Sequence, residues 1–274
     1  MVIDNLGRGE DQDMNATTTP ERAAMLANYD RDGYAIFRNV LDRDLIDEVS
    51  GHIAWLLEHN PGRSPEMLAQ DLVTDDPFWV RLVSDDRLVD IAELFLGPDI
   101  GLFASHYLVK PPFTGKEVRW HQDAAFWPLE PMEVVTLWLA IDESTPENGC
   151  VRLVPGSHKN EIKDMHATGT EDVLGAEISV EVDENDAVDI VLRPGDVEVH
   201  HPMIYHASNA NTSPKRRAGL TIRYIPTSTR ITSPELLQQS AFWFRGDRGV
   251  NAWLPVPPYE AGRHFPFRDW KAWV

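Results

Sequence analysis

Near residue 100 the hydrophobic period of this 274-residue chain changes from helical to strand-like, and that switch sets its fold class. Upstream, "DRDLIDEVSGHIAWLLEH" places Leu45, Ile46, Val49, Ile53, Leu56 and Leu57 along one helical stripe. "DDRLVDIAELFLG" ends a second helix at Gly97, and "TTTPERAAMLANYDRDG" opens another with Thr19 as cap and Pro20 in its first turn. "GYAIFRNVL" between them reads as a short strand. Downstream, "GLFASHYLVKPP", "VVTLWLAID", "CVRLVPGSH", "AVDIVLRPGDVEVHH" and "AGLTIRYIP" are short β-branched or aromatic runs broken by Pro, Gly, Asn and Asp. Such runs form an antiparallel sandwich or barrel. The expectation is a mainly β fold with flanking α-helices, in which the helices cover one sheet and leave its other face for something else.

That other face carries chemistry. In "RWHQDAAFWP", strand alternation turns His121 and Asp123 the same way, close enough to share one ion. An isolated H-x-D is also compatible with a hydrogen-bonded core histidine beside a turn aspartate, so a third group must decide. "RPGDVEVHHPMIYHASNANTSPKRRAGLTIRY" supplies three further histidines, His200, His201 and His206. Two histidines and one carboxylate on one face, with other coordination positions open, is the arrangement of non-haem Fe(II) oxygenases. If Arg217 faces inward on the next strand, so do Gly219, Thr221 and Arg223, and a forked, always-charged donor stands ready for a carboxylate. The same parity on "VVTLWLAID" puts Thr136, Trp138 and Ala140 on one side and Val135, Leu137, Leu139 and Ile141 on the other.

Composition removes several other functions. Acidic residues outnumber basic ones 44 to 25, a formal charge of −19 that repels polyphosphate and anionic membrane surfaces, so neither nucleic acid nor membrane is an expected partner. The single cysteine, Cys150, rules out an intrachain disulfide and a zinc–thiolate cluster, which fits a reducing cytoplasm. The N-terminus lacks the basic and apolar regions of a secretory signal. Residues 1–16 read as a polar, disordered tail, and residues 17–274 as a single domain without repeat or linker. Its Trp-, Phe- and Pro-rich end is expected to wrap the barrel or cover its mouth.

Three stretches, "VKPPFTGKEVRWHQD", "TPENGCVRLVPGSHK" and "GDVEVHHPMIYHASNANTSPKRR", taken in this order, resemble the phytanoyl-CoA dioxygenase family of Fe(II)/2-oxoglutarate oxygenases. The resemblance spans roughly residues 30 to 226. It implies a double-stranded β-helix, or jelly roll, buttressed by the N-terminal helices. It also implies Fe(II) held by His121, Asp123 and His206, with 2-oxoglutarate and O2 as cosubstrates. The family's 2-oxoglutarate arginine, eleven residues beyond the second histidine, falls on Arg217. Trp138, Ser208, Gln122 and His106 match residues that contact or line the cosubstrate pocket. His200 and His201 are left with structural or supporting roles, and the turn formers Gly149, Pro155 and Gly156 with shaping the barrel rim.

The implied activity is oxidative decarboxylation of 2-oxoglutarate to succinate coupled to attack on a C–H bond of a small-molecule substrate. Hydroxylation, oxidative cyclisation, desaturation and epoxidation are all outcomes of that chemistry. Related halogenases lack the carboxylate that Asp123 provides, and a non-enzymatic jelly-roll binding module would not require Arg217 together with three ligands. Phe126 and Trp127 are candidates for a substrate wall, and Arg223 with Arg230 points to a partly anionic, partly apolar substrate.

Overall fold

The three expected helices, joined by a fourth at Pro77–Val83, are laid on one face of a sheet, in a computed structural model that describes residues 2–3, 20–169, 172–179 and 181–274. They are Pro20–Asp32 (α1), Arg43–His59 (α2), Pro77–Val83 (α3) and Asp86–Leu96 (α4). Asp42 accepts a hydrogen bond from the Leu45 amide at 3.0 Å and Asp76 one from the Trp79 amide at 2.9 Å. Caps of this kind stabilise a helix start by about 1 kcal/mol each. The Thr19 cap and most of the 1–16 tail lie outside the described residues; Val2–Ile3 pair in parallel with Ile36–Phe37.

The strands are Tyr34–Phe37 (β1), Ile100–Lys110 (β2), Val118–His121 (β3), Val135–Ala140 (β4) and Val151–Leu153 (β5). Val188–Ile190 (β6), Val197–His200 (β7), His206–Ser208 (β8), Arg217–Pro226 (β9) and Phe242–Arg245 (β10) follow. One sheet runs Val2–Ile3, β1, β7, β4, β9, β2, β10, and the facing sheet runs β6, β5, β8, β3. From β2 to β9 the chain passes back and forth between the two, with β5 and β6 consecutive in the smaller sheet. This is the expected double-stranded β-helix.

Strand parity divides the larger sheet into two chemistries. Leu137, Leu139, Ala218, Leu220, Ile222 and Tyr224 pack outward against Val49, Ile53, Trp79, Leu82 and Leu88 of the helices. Each buried leucine, isoleucine or valine among them contributes about 1.5–3 kcal/mol of transfer free energy. Trp138 and Ala140 point the other way, onto Val151, Leu153, Ile190 and Ile204. A one-residue slip of β9 would drive Arg217 and Arg223 into the helical core, so the outer face holds the register of the inner one. Within the aromatic C-terminal segment, Phe265 and Phe267 lie on the helical layer, their rings 5.1 and 5.5 Å from Phe78, while Trp253 packs on the cluster of Phe103 and Ile225. Among the described residues, no helix is long and apolar enough to cross a membrane.

Candidate active site

The antiparallel register of β3 and β8 sets His121 opposite His206. Past β3 the chain turns at Asp123–Ala125, which returns Asp123 to the two rings. One nitrogen of each imidazole and one carboxylate oxygen lie within 4.8 Å of one another. His121 Nε2 and His206 Nε2 stand 3.6 and 4.0 Å from Asp123 Oδ1. Each ring's Nδ1 donates to a main-chain carbonyl, His121 to Arg119 at 2.8 Å and His206 to Ile204 at 3.1 Å. The hydrogen therefore sits on Nδ1, and each Nε2 lone pair faces the cluster, as a metal ligand requires. Burial, followed by the neighbouring His121, holds His206 well below its ordinary range and so neutral. Burial alone would raise the Asp123 carboxyl, but the Arg223 guanidinium and the surrounding imidazoles outweigh it and keep the group ionised. Two imidazole Nε2 atoms and one carboxylate fit a divalent iron with open positions.

A cavity of about 90 Å³ extends from this cluster and takes in Arg217. Arg217 is 1 % exposed, and its Nε has no hydrogen-bond partner among the described residues. Its guanidinium lies 5.3 Å over the Trp138 ring, which can approach because residue 219 is glycine; a Cβ there would stand 2.1 Å from the indole. Burial pulls the guanidinium down to about 10. Leaving a cation desolvated and unpaired is costly, and an anionic ligand would offset that cost. Across the sheet, the register partner of Arg217 is Lys110. Lys110 Nζ donates to Ser208 Oγ at 2.7 Å and to the carbonyls of Ser208 and Asn209. Burial and then the charge of Arg217 pull the Lys110 ammonium down to about 6. Arg216 faces away, bound to Asp142 at 2.8 and 3.0 Å and to Ser50 at 2.9 Å.

His121, Asp123, His206, Arg217, Trp138, Ser208, His106 and Arg223 thus share one cavity, whose rim includes Val173 and Leu174. Gln122 is not brought to it. The alternation that turns His121 and Asp123 inward turns Gln122 out, where its amide donates to the Met203 carbonyl and accepts from the Lys163 amide, both at 2.8 Å. Phe126 is half exposed, its ring 6.2 Å from that of His121. Trp127 packs on Phe103, under the guanidinium of Arg223 at 4.9 Å, and neither aromatic lines the cavity. His201 accepts from the Met203 amide outside the cavity, whereas His200 lines it. His200 Nδ1 meets the fully buried Glu198 carboxylate at 2.8 and 3.1 Å. Lys110 and Glu198 escape a reading by motif. Parity counted from His106 along β2, and from His200 along β7, finds both.

A family model of phytanoyl-CoA dioxygenase matches residues 29–219. The ectoine dioxygenase of Sphingopyxis alaskensis is 26% identical over 264 residues, covering 86% of each chain. A probable alpha-ketoglutarate-dependent hypophosphite dioxygenase of Stutzerimonas stutzeri is 36% identical over 149 residues, 52% of this chain and 51% of its own. Among solved structures, the apo form of the non-heme monooxygenase ThoJ superposes with a TM-score of 0.73 at 25% identity, covering 85% of this chain and 88% of its own.

Proposed function

The chain belongs to the phytanoyl-CoA dioxygenase family and is an iron- and 2-oxoglutarate-dependent oxygenase, and from this we infer that it hydroxylates a small polar metabolite at a centre built from His121, Asp123 and His206. One observation carries the assignment: a buried Arg217, whose Nε has no hydrogen-bond partner among the described residues, opens into the same cavity as two imidazole Nε2 atoms and one ionised carboxylate. A metal cluster alone would not need that cation. A dicarboxylate bound between the two ends would.

In this reading His121, Asp123 and His206 hold the iron. With 2-oxoglutarate and dioxygen, the bound metal supplies the oxidising power for C–H hydroxylation, and succinate and CO2 leave. The protein's own part is placement. Arg217 receives the distal carboxylate through two parallel N–H bonds, with Lys110 and Ser208 beside it. Trp138 walls the pocket, and Val173 and Leu174 border the cavity where water must be excluded. Relatives named for ectoine and hypophosphite support a small polar substrate. Under anaerobic conditions the Fe(II)-loaded protein is expected to develop a visible metal-to-cosubstrate charge-transfer band when 2-oxoglutarate is added. Screening metabolite pools for succinate formation above the uncoupled rate then identifies the substrate. Absence of both the band and any succinate would exclude the assignment.

Lys110 adds a pH dependence. Its amine, at about 6 in the free protein, is mostly neutral at pH 7.5, and an incoming dianion raises it again. Cosubstrate binding therefore takes up a proton, and affinity falls as pH rises above 6, by up to about tenfold per pH unit. Calorimetry at pH 7.5 in two buffers of different ionisation enthalpy should detect that proton, and Lys110→Met should remove it. A pH-independent affinity in the wild type would rule Lys110 out of this role.

A further inference from the structure

The two oxygens of Asp123 have different surroundings. Oδ1 faces the Nε2 atoms of His121 and His206. Oδ2 faces away, toward His200 Nε2 at 3.7 Å, Arg223 Nε at 3.7 Å and Thr136 Oγ1 at 3.5 Å. These three are direct register partners on adjacent strands, His200 on β7 opposite Thr136 on β4, and Thr136 opposite Arg223 on β9. One row of the larger sheet is therefore aimed at a single carboxylate oxygen. Each member is buried, and two are held from behind. Glu198 grips His200 Nδ1, while His106 Nδ1 and Thr221 Oγ1 accept from Arg223 at 2.8 and 3.2 Å. His200 Nε2 and Arg223 Nε have no hydrogen-bond partner among the described residues.

We propose that His200, Thr136 and Arg223, with Glu198 behind His200, are positioning residues that hold Oδ2 of Asp123 off the metal, so that the carboxylate binds through Oδ1 alone. The consequence is stoichiometric. A carboxylate that rotated to bind through both oxygens would occupy one of the positions that 2-oxoglutarate and dioxygen need. Exchanging Glu198 and His200 together for apolar residues removes the hold on Oδ2 without leaving the Glu198 carboxylate buried and unpaired.

This rests on Asp123 being a ligand, and Co(II) titration of the whole protein separates the two claims. Asp123→Ala tests the ligand: if it bound Co(II) like wild type, the iron site itself would be misassigned. Glu198→Leu/His200→Phe tests the row. It is expected to weaken Co(II) binding by about 10- to 100-fold, as losses around metal ligands do, to alter the Co(II) ligand-field spectrum, and to raise the 2-oxoglutarate Kd. His200→Gln with Glu198 intact, which retains a donor, should recover part of each change. An unchanged Co(II) affinity and spectrum in the folded double variant, with Asp123→Ala impaired, would overturn the proposal. Thr136→Val conserves volume and carries the same test should the double variant fail to fold: unchanged binding and spectrum there would likewise overturn it.

Discussion

Asp123→Ala is expected to abolish hydroxylation and to lower iron affinity by well over tenfold. The argument runs from charge and geometry. Asp123 is the sole anion in the cluster with His121 and His206, and it is kept ionised in a buried site by Arg223 and the imidazoles. Changing groups that merely support a metal ligand costs about 10- to 100-fold in affinity or activity, so removing the ligand itself should cost at least as much. Iron analysis of the purified variant and its rate of succinate formation decide the matter. Succinate release near the wild-type rate would show that Asp123 does not bind iron.

Arg217→Ala should raise the 2-oxoglutarate requirement by at least an order of magnitude while iron binding is retained. Removing one partner of a buried, hydrogen-bonded charge pair costs about 2 to 5 kcal/mol, or roughly 30- to 5,000-fold in affinity. Arg217→Lys should fall between, because an ammonium keeps the charge but loses the paired N–H geometry. Arg216→Ala is the contrasting case. Its guanidinium is satisfied by Asp142 and Ser50 on the outer side of the sheet, so the cosubstrate requirement should hardly move. Equal damage from Arg216→Ala would contradict the inward placement of Arg217.

What could be read from the sequence was whatever alternates. The period of two assigned Leu220 and Ile222 to the helical core and Arg217 and Thr221 to the cavity, and both assignments hold because register couples the two faces. The H-x-D spacing put His121 and Asp123 together for the same reason, and the same rule argues against Gln122 as a pocket residue. Harder to read were contacts made across strands. Lys110 gains its meaning from lying opposite Arg217, and His200 from lying in one row with Thr136 and Arg223. Neither adjacency is local in the chain. The position of the aromatic tail was equally illegible, since Phe265 and Phe267 have the same composition whether they cover a cavity mouth or, as found, Phe78 on the helical layer.

β9 also fixes a spacing. Arg217 and Arg223 stand on one face of one strand, six residues apart, about 20 Å of extended backbone, and both line the same cavity. In the proposed reading Arg217 addresses the far carboxylate of the cosubstrate, and Arg223 the carboxylate of Asp123. On that reading, the length of dicarboxylate that fits depends on main-chain spacing as well as on the Arg217 side chain. A single-residue insertion between them would turn one arginine into the helices. A two-residue insertion would keep both inside and move Arg217 farther from the His121, Asp123 and His206 cluster.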